Sequence, residues 1–338
     1  MQVVTAHLIK GKKVLLRLDI DVPIEDGRVV DDFRLLAGMP TLELCLESAS
    51  KVIIMGHIGR PEGKKVEELS VAPVFDWLVE HGFGDELDSG KLQLLENLRF
   101  EKGEEEASIY YAKELAALGG FLDSYTPKAE LSQMQSIYVN DAFASHHKAA
   151  STTILPMLLP HAAGLQFAKE AETLKEIREN PLKPLVAIIG GVKVDDKLPA
   201  ALALSKVADQ VLVGGKIASE LKNRTDLPEN LILADLTVDQ EDISAETVNI
   251  WAPIISSAAS VLWNGPLGKV EDPKNNSSEK IAQLIIESNA KSIIGGGDTV
   301  GFLGKLGLLD RFGFVSTGGG AMLKFLETGT LPTIEALK

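Results

Sequence analysis

Short, uninterrupted apolar runs recur along the chain and predict strands covered on both faces. In the first half they are Val14–Leu18, Lys51–Met55, Lys91–Leu95 and Ile137–Val139. In the second half they are Leu185–Ile189, Gln210–Val213, Asn230–Ala234, Ser260–Trp263, Ser292–Ile294 and Phe312–Val315. The segments between them carry apolar residues at helical spacing. Leu35, Met39, Leu42 and Leu46 do so within Arg34–Glu47, and Glu105–Leu118 and Ser277–Ser288 repeat the pattern. Strand–helix alternation over the whole length implies parallel sheets with right-handed crossovers.

One segment, Phe167–Pro184, stands apart. Ala168, Ala171, Leu174 and Ile177 share one side of a helix that charged residues otherwise surround. Asn180-Pro181-Leu182-Lys183-Pro184 ends it. Such a helix suits a connector between two lobes; an ordinary surface helix accounts for the pattern equally well. A length of 338 residues also suits two domains.

Composition narrows the function classes. With 45% hydrophobic and 24% charged residues, the chain can build cores and is not a disordered segment. A net charge of −14 argues against nucleic acid as a partner. A single cysteine, Cys45, excludes an intrachain disulfide framework and fits a reducing cytosol, so a cytoplasmic location is expected. No apolar run approaches the ~18 residues of a membrane span, and no membrane partner is expected.

Ligands of open parallel sheets bind outside the carboxyl ends of the strands. In the first half those ends carry cations and imidazoles. Arg17, Asp19 and Asp21 close the first run, and Arg34 lies at the start of the following helix. His57 and Arg60 follow the second run, Arg99 the third, and His146, His147 and Lys148 the fourth. A lone arginine is usually a surface ion pair. Repetition at four strand ends of an acidic chain points instead to a small anion, because the arginine fork suits carboxylate and phosphate oxygens. Adjacent histidines point apart on most backbones, so His146 and His147 are not expected to bind metal.

In the second half the strand ends are glycine-rich. They read Gly190-Gly191-Val192-Lys193, Gly214-Gly215-Lys216, Trp263-Asn264-Gly265-Pro266, Gly295-Gly296-Gly297-Asp298-Thr299 and Ser316-Thr317-Gly318-Gly319-Gly320. One glycine pair is usually a tight turn. Five such ends suit phosphate, which glycine backbones approach closely and helix N-termini attract. Asp298 could hold Mg²⁺ through a carboxylate oxygen. No G-x-G-x-x-G follows a strand, no Walker-type loop occurs, and the protein-kinase motif set is missing.

These words, in this order, resemble the phosphoglycerate kinase family. The stretches that carry the likeness are Leu16–Pro23, Gly56–Pro61, Leu95–Phe100, Val139–Phe143, Gly190–Val194, Trp263–Pro266, Gly295–Thr299 and Ser316–Ala321. The resemblance implies an α/β fold of two Rossmann-like lobes with parallel sheets, joined by a helical hinge. The expected divisions are 1–166 for 3-phosphoglycerate, 167–183 for the hinge, 184–325 for the nucleotide and 326–338 for a tail returning to the first lobe. It also implies reversible, Mg²⁺-dependent phosphoryl transfer between 1,3-bisphosphoglycerate and ADP, giving 3-phosphoglycerate and ATP. The two lobes would close on their substrates by bending at the hinge, and a monomer is expected.

By the same resemblance, Arg17, Asp19, Asp21, Arg34, His57, Arg60, Arg99, His147 and Lys148 would surround 3-phosphoglycerate. Gly191, Lys193, Lys197, Gly215, Asn264, Pro266, Glu271, Gly295, Gly296, Gly297, Asp298 and Thr299 would hold the nucleotide, with Asp298 on the metal. Arg34 and Lys193 would stabilise the transferring group. The chain departs from the family where Asp21 replaces the usual Asn, Lys148 the usual Arg, Val192 the usual Ala and Lys216 a third glycine. It is also several dozen residues shorter, chiefly between Asp235 and Ala259. Two alternatives stand beside the kinase: a relative that binds ligands without turnover, and a kinase for another small carboxylate.

Overall fold

The computed structural model describes residues 1–120 and 135–338. The chain forms two compact units, Met1–Ala171 with Leu331–Lys338, and Glu172–Thr330.

The first unit is built on a five-stranded parallel sheet. Its strands are β1 (Lys13–Arg17), β2 (Lys51–Met55), β3 (Leu92–Leu94), β4 (Ser136–Asn140) and β5 (His161–Ala163). Their spatial order is β3-β2-β1-β4-β5. The chain winds outward one way from β1 and then returns to its other side, which opens a crevice at the carboxyl ends of β1 and β4. Register aligns those ends: Arg17, the last residue of β1, pairs with Met55 and Asn140. Helix α1 (Phe33–Ser48) buries Leu35, Leu42, Cys45 and Leu46 in the core with Val14, Leu16, Val52, Ile54, Ile137 and Val139. Burial pushes the Cys45 thiol up to about 12, so it is an inert core residue.

Two elements here lie outside the apolar-run pattern. Strand β5 is only three residues long and starts with a histidine. The second is a two-stranded hairpin, Ile24–Glu25 with Arg28–Val29, turned by Asp26-Gly27 at positive φ. One expected helix is broken: Glu105–Leu118 separates into Lys102–Glu105 and Ile109–Leu118, with Ala107 between them at φ 51°.

Helix α2 (Leu165–Glu179) begins beside the end of β4. Its first N–H groups are satisfied from outside. Leu165 donates to Thr41 Oγ1 at 2.9 Å, and Phe167 donates to Asp141 Oδ1 at 2.9 Å. Burial pushes the Asp141 carboxyl up to about 7, against the opposing pull of Phe167, Thr41 and Gln166. Thus Asp141, in Asn140-Asp141-Ala142-Phe143, serves as a helix cap. The division between the units falls within α2, after Ala171. The C-terminal helix Pro332–Glu335 packs on Ala150–Ile154 of the first unit.

The second unit holds a six-stranded parallel sheet. Its strands are β6 (Leu185–Ile189), β7 (Gln210–Val213), β8 (Leu231–Leu233), β9 (Ser260–Asn264), β10 (Lys291–Gly295) and β11 (Phe314–Val315). The order β8-β7-β6-β9-β10-β11 again reverses beside the first strand. Asn264 at the end of β9 pairs with Ile189 and Gly295. The helices of this unit include α3 (Val194–Leu204), α4 (Lys216–Leu221), α5 (Ser277–Ser288), α6 (Gly297–Lys305) and α7 (Gly319–Thr328). Trp251, Trp263, Ile281 and Ile294 are among the side chains that fill the core. Among the described residues no helix is long and apolar enough to cross a membrane.

Candidate active site

At the carboxyl edge of the first sheet, side chains from separate loops converge. Arg34, in the first turn of α1, places Nη1 2.7 Å from the Asp21 carbonyl oxygen, 3.6 Å from Asp19 Oδ1 and 3.7 Å from Asp21 Oδ2. His57 Nε2 lies 3.9 Å from Asp21 Oδ2. Arg99 donates through Nη1 to the Gly59 carbonyl at 2.8 Å, and its Nε is 3.4 Å from Glu105. Arg60, His147 and Lys148 are exposed at this edge. Burial and then Arg99 and Arg60 lower the His147 pKa.

Electrostatics identify the focus of this edge. His57 is buried, and its pKa falls well below 6.5 through desolvation and then through Arg17, Arg99, Arg34 and Arg60. Four guanidinium groups therefore act on one imidazole in a chain of net charge −14. Asp19 is buried as well, and both its oxygens lack a hydrogen-bond partner. Desolvation raises its pKa, opposed chiefly by Arg34.

Arg17 is placed differently from the other cations. It is 1% exposed, and its donors meet Ser151 Oγ at 3.1 Å, the Leu18 carbonyl at 2.8 Å, His57 Nδ1 at 2.8 Å and Ser145 Oγ at 3.4 Å. It stands behind His57, in the protein interior.

His146 and His147 also differ from expectation. Their rings stack at 4.0 Å between centroids with a 38° tilt, so the backbone turns neighbouring side chains to one side. Among the described residues, no three histidine, cysteine or acidic groups gather as a metal site.

Two residues of this edge carry a role that their spacing does not reveal. Asn97 is buried and donates to the carbonyls of Ile58 and Leu69 at 2.7 and 2.8 Å, while its Oδ1 accepts from the Arg99 N–H. It fixes the loop that bears His57 and Arg60 and orients Arg99. Glu104 is buried too, and its carboxylate accepts from the Ser151 N–H at 2.9 Å and the Ser151 hydroxyl at 2.5 Å.

In the second unit, glycines let the strand-end loops meet. A Cβ on Gly265 would stand 2.1 Å from the Gly190 carbonyl oxygen, and one on Gly319 would stand 2.4 Å from Gly296 Cα. These glycines are required by backbone packing. Asn264 ties the loops from their centre, donating to the Gly319 carbonyl at 3.1 Å and accepting from Lys197 Nζ.

Gly297 differs, since a Cβ there would meet nothing within 4 Å. It opens α6, whose N-cap is Gly296 and supplies no side-chain oxygen. The first N–H groups of α6 thus lack a side-chain cap, the arrangement that accepts phosphate. Asp298 in that turn is exposed and has no partner among the described residues. Thr299 Oγ1 is buried without a hydrogen-bond partner. Lys193, at the N-cap of α3, is exposed and unpaired, as is Glu271.

Comparison with known proteins decides the assignment. The phosphoglycerate kinase family model matches residues 4–228 and 229–329. The chain belongs to the phosphoglycerate kinase family. It is therefore a phosphotransferase. The phosphoglycerate kinase of Leptospira biflexa serovar Patoc is 34% identical, with 97% of this chain and 96% of the relative covered. That alignment runs to 396 positions, 58 more than the 338 residues here. Among solved structures, the phosphoglycerate kinase of Coxiella burnetii superposes with a TM-score of 0.77 at 31% identity, covering 97% of this chain and 96% of that one. The fold also matches the phosphoglycerate kinase of Pyrococcus horikoshii OT3, with a TM-score of 0.77, 24% identity and coverage of 100% and 98%.

The family's usual Asn is Asp21 in this chain. Its Oδ1 accepts the Gly59 N–H at 2.9 Å, and its Oδ2 lies between Arg34 and His57. The extra negative charge is thus set against a guanidinium. Val192 is 65% exposed beside Lys193 and so enlarges the loop without entering the core. Lys216 begins α4 and is exposed.

Proposed function

We propose that the first unit binds 3-phosphoglycerate and the second binds ATP or ADP, and that the chain transfers the terminal phosphoryl group between them. The gathering of Arg17 on His57 Nδ1 and of Arg34 and His57 Nε2 about Asp21 carries the reading of the first unit. Arg34, Arg60, Arg99 and Lys148 supply positive charge to the acid. His57 donates through Nε2, because Arg17, which can only donate, holds Nδ1 as an acceptor. Asp19 and Asp21 are suited to accept from the hydroxyl of the acid. In the second unit the open N-terminus of α6, with Gly295, Gly296, Gly297 and Thr299, receives phosphate. Gly191, Gly215, Asn264, Pro266 and Lys197 form the surrounding loops, and Glu271 is assigned to the ribose.

With ATP as donor, a carboxylate oxygen of the acid attacks the γ-phosphorus. The bond to the β-bridging oxygen breaks and ADP leaves with the electron pair. The acid is ionised above a pKa of about 3.5, so no general base is needed. The barrier is the approach of two anions, and the protein contributes alignment and neutralising charge. Arg34 is assigned to the acid carboxylate and Lys193 to the transferring phosphoryl.

The donor set suits magnesium. Asp298 offers one unpaired carboxylate, and Mg²⁺ binds ATP enzymes through one or two carboxylates with phosphate oxygens and water. When bound, the ion would neutralise phosphate charge. A cytoplasmic site of action fits the use of nucleotide and glycolytic acid.

Titration calorimetry tests the division of labour. Wild-type chain is expected to bind 3-phosphoglycerate and MgADP separately. Asp21→Asn keeps the acceptor for Gly59 and removes a negative charge, so it should tighten 3-phosphoglycerate roughly five- to tenfold, about 1 kcal/mol after screening by Arg34, and leave MgADP unchanged. Absence of 3-phosphoglycerate binding to the wild type, or weaker binding by the variant, contradicts the assignment.

A further inference from the structure

The buried groups behind His57 form a chain whose hydrogen bonds run in one direction. The Glu104 carboxylate accepts from the Ser151 hydroxyl at 2.5 Å and from the Ser151 N–H at 2.9 Å. With its proton directed at Glu104, the Ser151 oxygen presents lone pairs to Arg17 Nε at 3.1 Å. Arg17 Nη2 in turn donates to His57 Nδ1 at 2.8 Å. An acceptor-only carboxylate stands at one end and a donor-only guanidinium in the middle, so every proton between them has one place. The last consequence is a neutral imidazole with its hydrogen on Nε2.

We propose that Glu104 and Ser151 are positioning residues: through Arg17 they hold the His57 imidazole in the Nε2–H tautomer and present that N–H to the acid. The proposal deepens the reading of this unit as the 3-phosphoglycerate site and rests on it for the identity of the acid. The arrangement has a physical logic. Glu104 is 2% exposed and Arg17 is 1% exposed, which is a costly place for both charges. A hydrophobic pair of similar volume would fill the same space, but it would leave the imidazole free to choose its tautomer and ring flip. The Nε2 side faces Asp21 Oδ2 at 3.9 Å, an oxygen that also lies 3.7 Å from Arg34 Nη1. The charged groups acting on His57 are Arg17, Arg34, Arg60 and Arg99, with Asp21 as the facing carboxylate. All four cations disfavour a second proton on the ring.

The test reads the tautomer directly by long-range ¹H–¹⁵N NMR on full-length chain labelled at histidine. The His57 signals are assigned by their loss in His57→Gln. In the wild type they should show Nε2 protonated and Nδ1 bare from pH 5.5 to pH 8, with no titration. Ser151→Ala keeps the backbone bond to Glu104 and deletes the link to Arg17. It should give a mixture of tautomers or a His57 titration inside that range. Its KM for 3-phosphoglycerate should rise roughly tenfold, with kcat and MgADP affinity little changed, and Ser151→Thr should restore both readouts. Glu104→Gln, whose amide sets an NH₂ donor where the carboxylate has its second acceptor oxygen, should behave like Ser151→Ala. An Nδ1–H tautomer in the wild type overturns the proposal. So does an unaltered His57 signal in folded Ser151→Ala and Glu104→Gln proteins. Because the NMR readout needs no substrate, tautomer shifts in a chain that fails to bind 3-phosphoglycerate would support the relay and refute the functional reading.

Discussion

Replacing Lys193 with alanine is expected to lower kcat for ATP-dependent phosphorylation of 3-phosphoglycerate by about 10²–10³-fold, the usual effect of removing one preorganised contact to developing charge. Lys193 is exposed at the N-cap of α3 and has no partner among the described residues, so its loss leaves no buried group stranded. Thermal stability should therefore match the wild type. KM for the acid should change little, since the residues proposed to bind the acid belong to the first unit. Lys193→Arg keeps the charge on a larger group and should recover only part of the rate. Steady-state kinetics beside a melting curve check the expectation. A kcat within twofold of the wild type would remove Lys193 from the transfer step.

The second large effect concerns stability and separates two kinds of glycine. Gly265→Ala should destabilise the second unit by about 3–5 kcal/mol, lowering its melting temperature by roughly 10 °C. The backbone there has φ 97°, which alanine rarely adopts, and the new Cβ would stand 2.1 Å from the Gly190 carbonyl oxygen. Both atoms belong to loops packed on their neighbours, so neither can move away cheaply. Gly297→Ala should do the opposite. Its Cβ meets nothing within 4 Å, and alanine favours a helical position by about 1 kcal/mol. Stability should hold or rise, while the added methyl stands before the uncapped N–H groups of α6 and raises KM for MgATP. Equal melting temperatures for the two variants would show that the Gly190–Gly265 contact is not what requires glycine.

That contrast shows what the sequence could and could not reveal. Uniform apolar runs mark strands buried on both faces, and the principal strands coincide with such runs or overlap them. Strand β5 had too few residues to register as a run. The hairpin at Ile24–Val29 did carry a signal, Asp26-Gly27, but its strands of two residues gave no alternation to accompany it. The strand-end words mark the carboxyl edge, where the side chains gather and where ligands of parallel sheets usually bind. They could not sort the residues within a word. Gly265 and Gly297 look alike in sequence, yet one is needed for close backbone approach and the other leaves a helix end open. Arg17 looks like its fellow cations, and only burial shows that it holds His57 from behind. Glu104 was the least legible of all. It sits in Glu104-Glu105-Glu106, which reads as a solvated acidic run, and its partner Ser151 is distant in sequence. Such pairings depend on how loops return to the edge, which local periodicity does not encode.

As a member of the phosphoglycerate kinase family, this chain is expected to pass a phosphoryl group from ATP to the carboxylate of 3-phosphoglycerate. The initial rate of ADP formation from MgATP, measured as the acid is varied, tests it most directly. The rate should rise saturably with 3-phosphoglycerate, be negligible without it, and be lost on chelating magnesium. ADP formation that ignores the acid, or none at all while calorimetry shows both ligands bound, would contradict it.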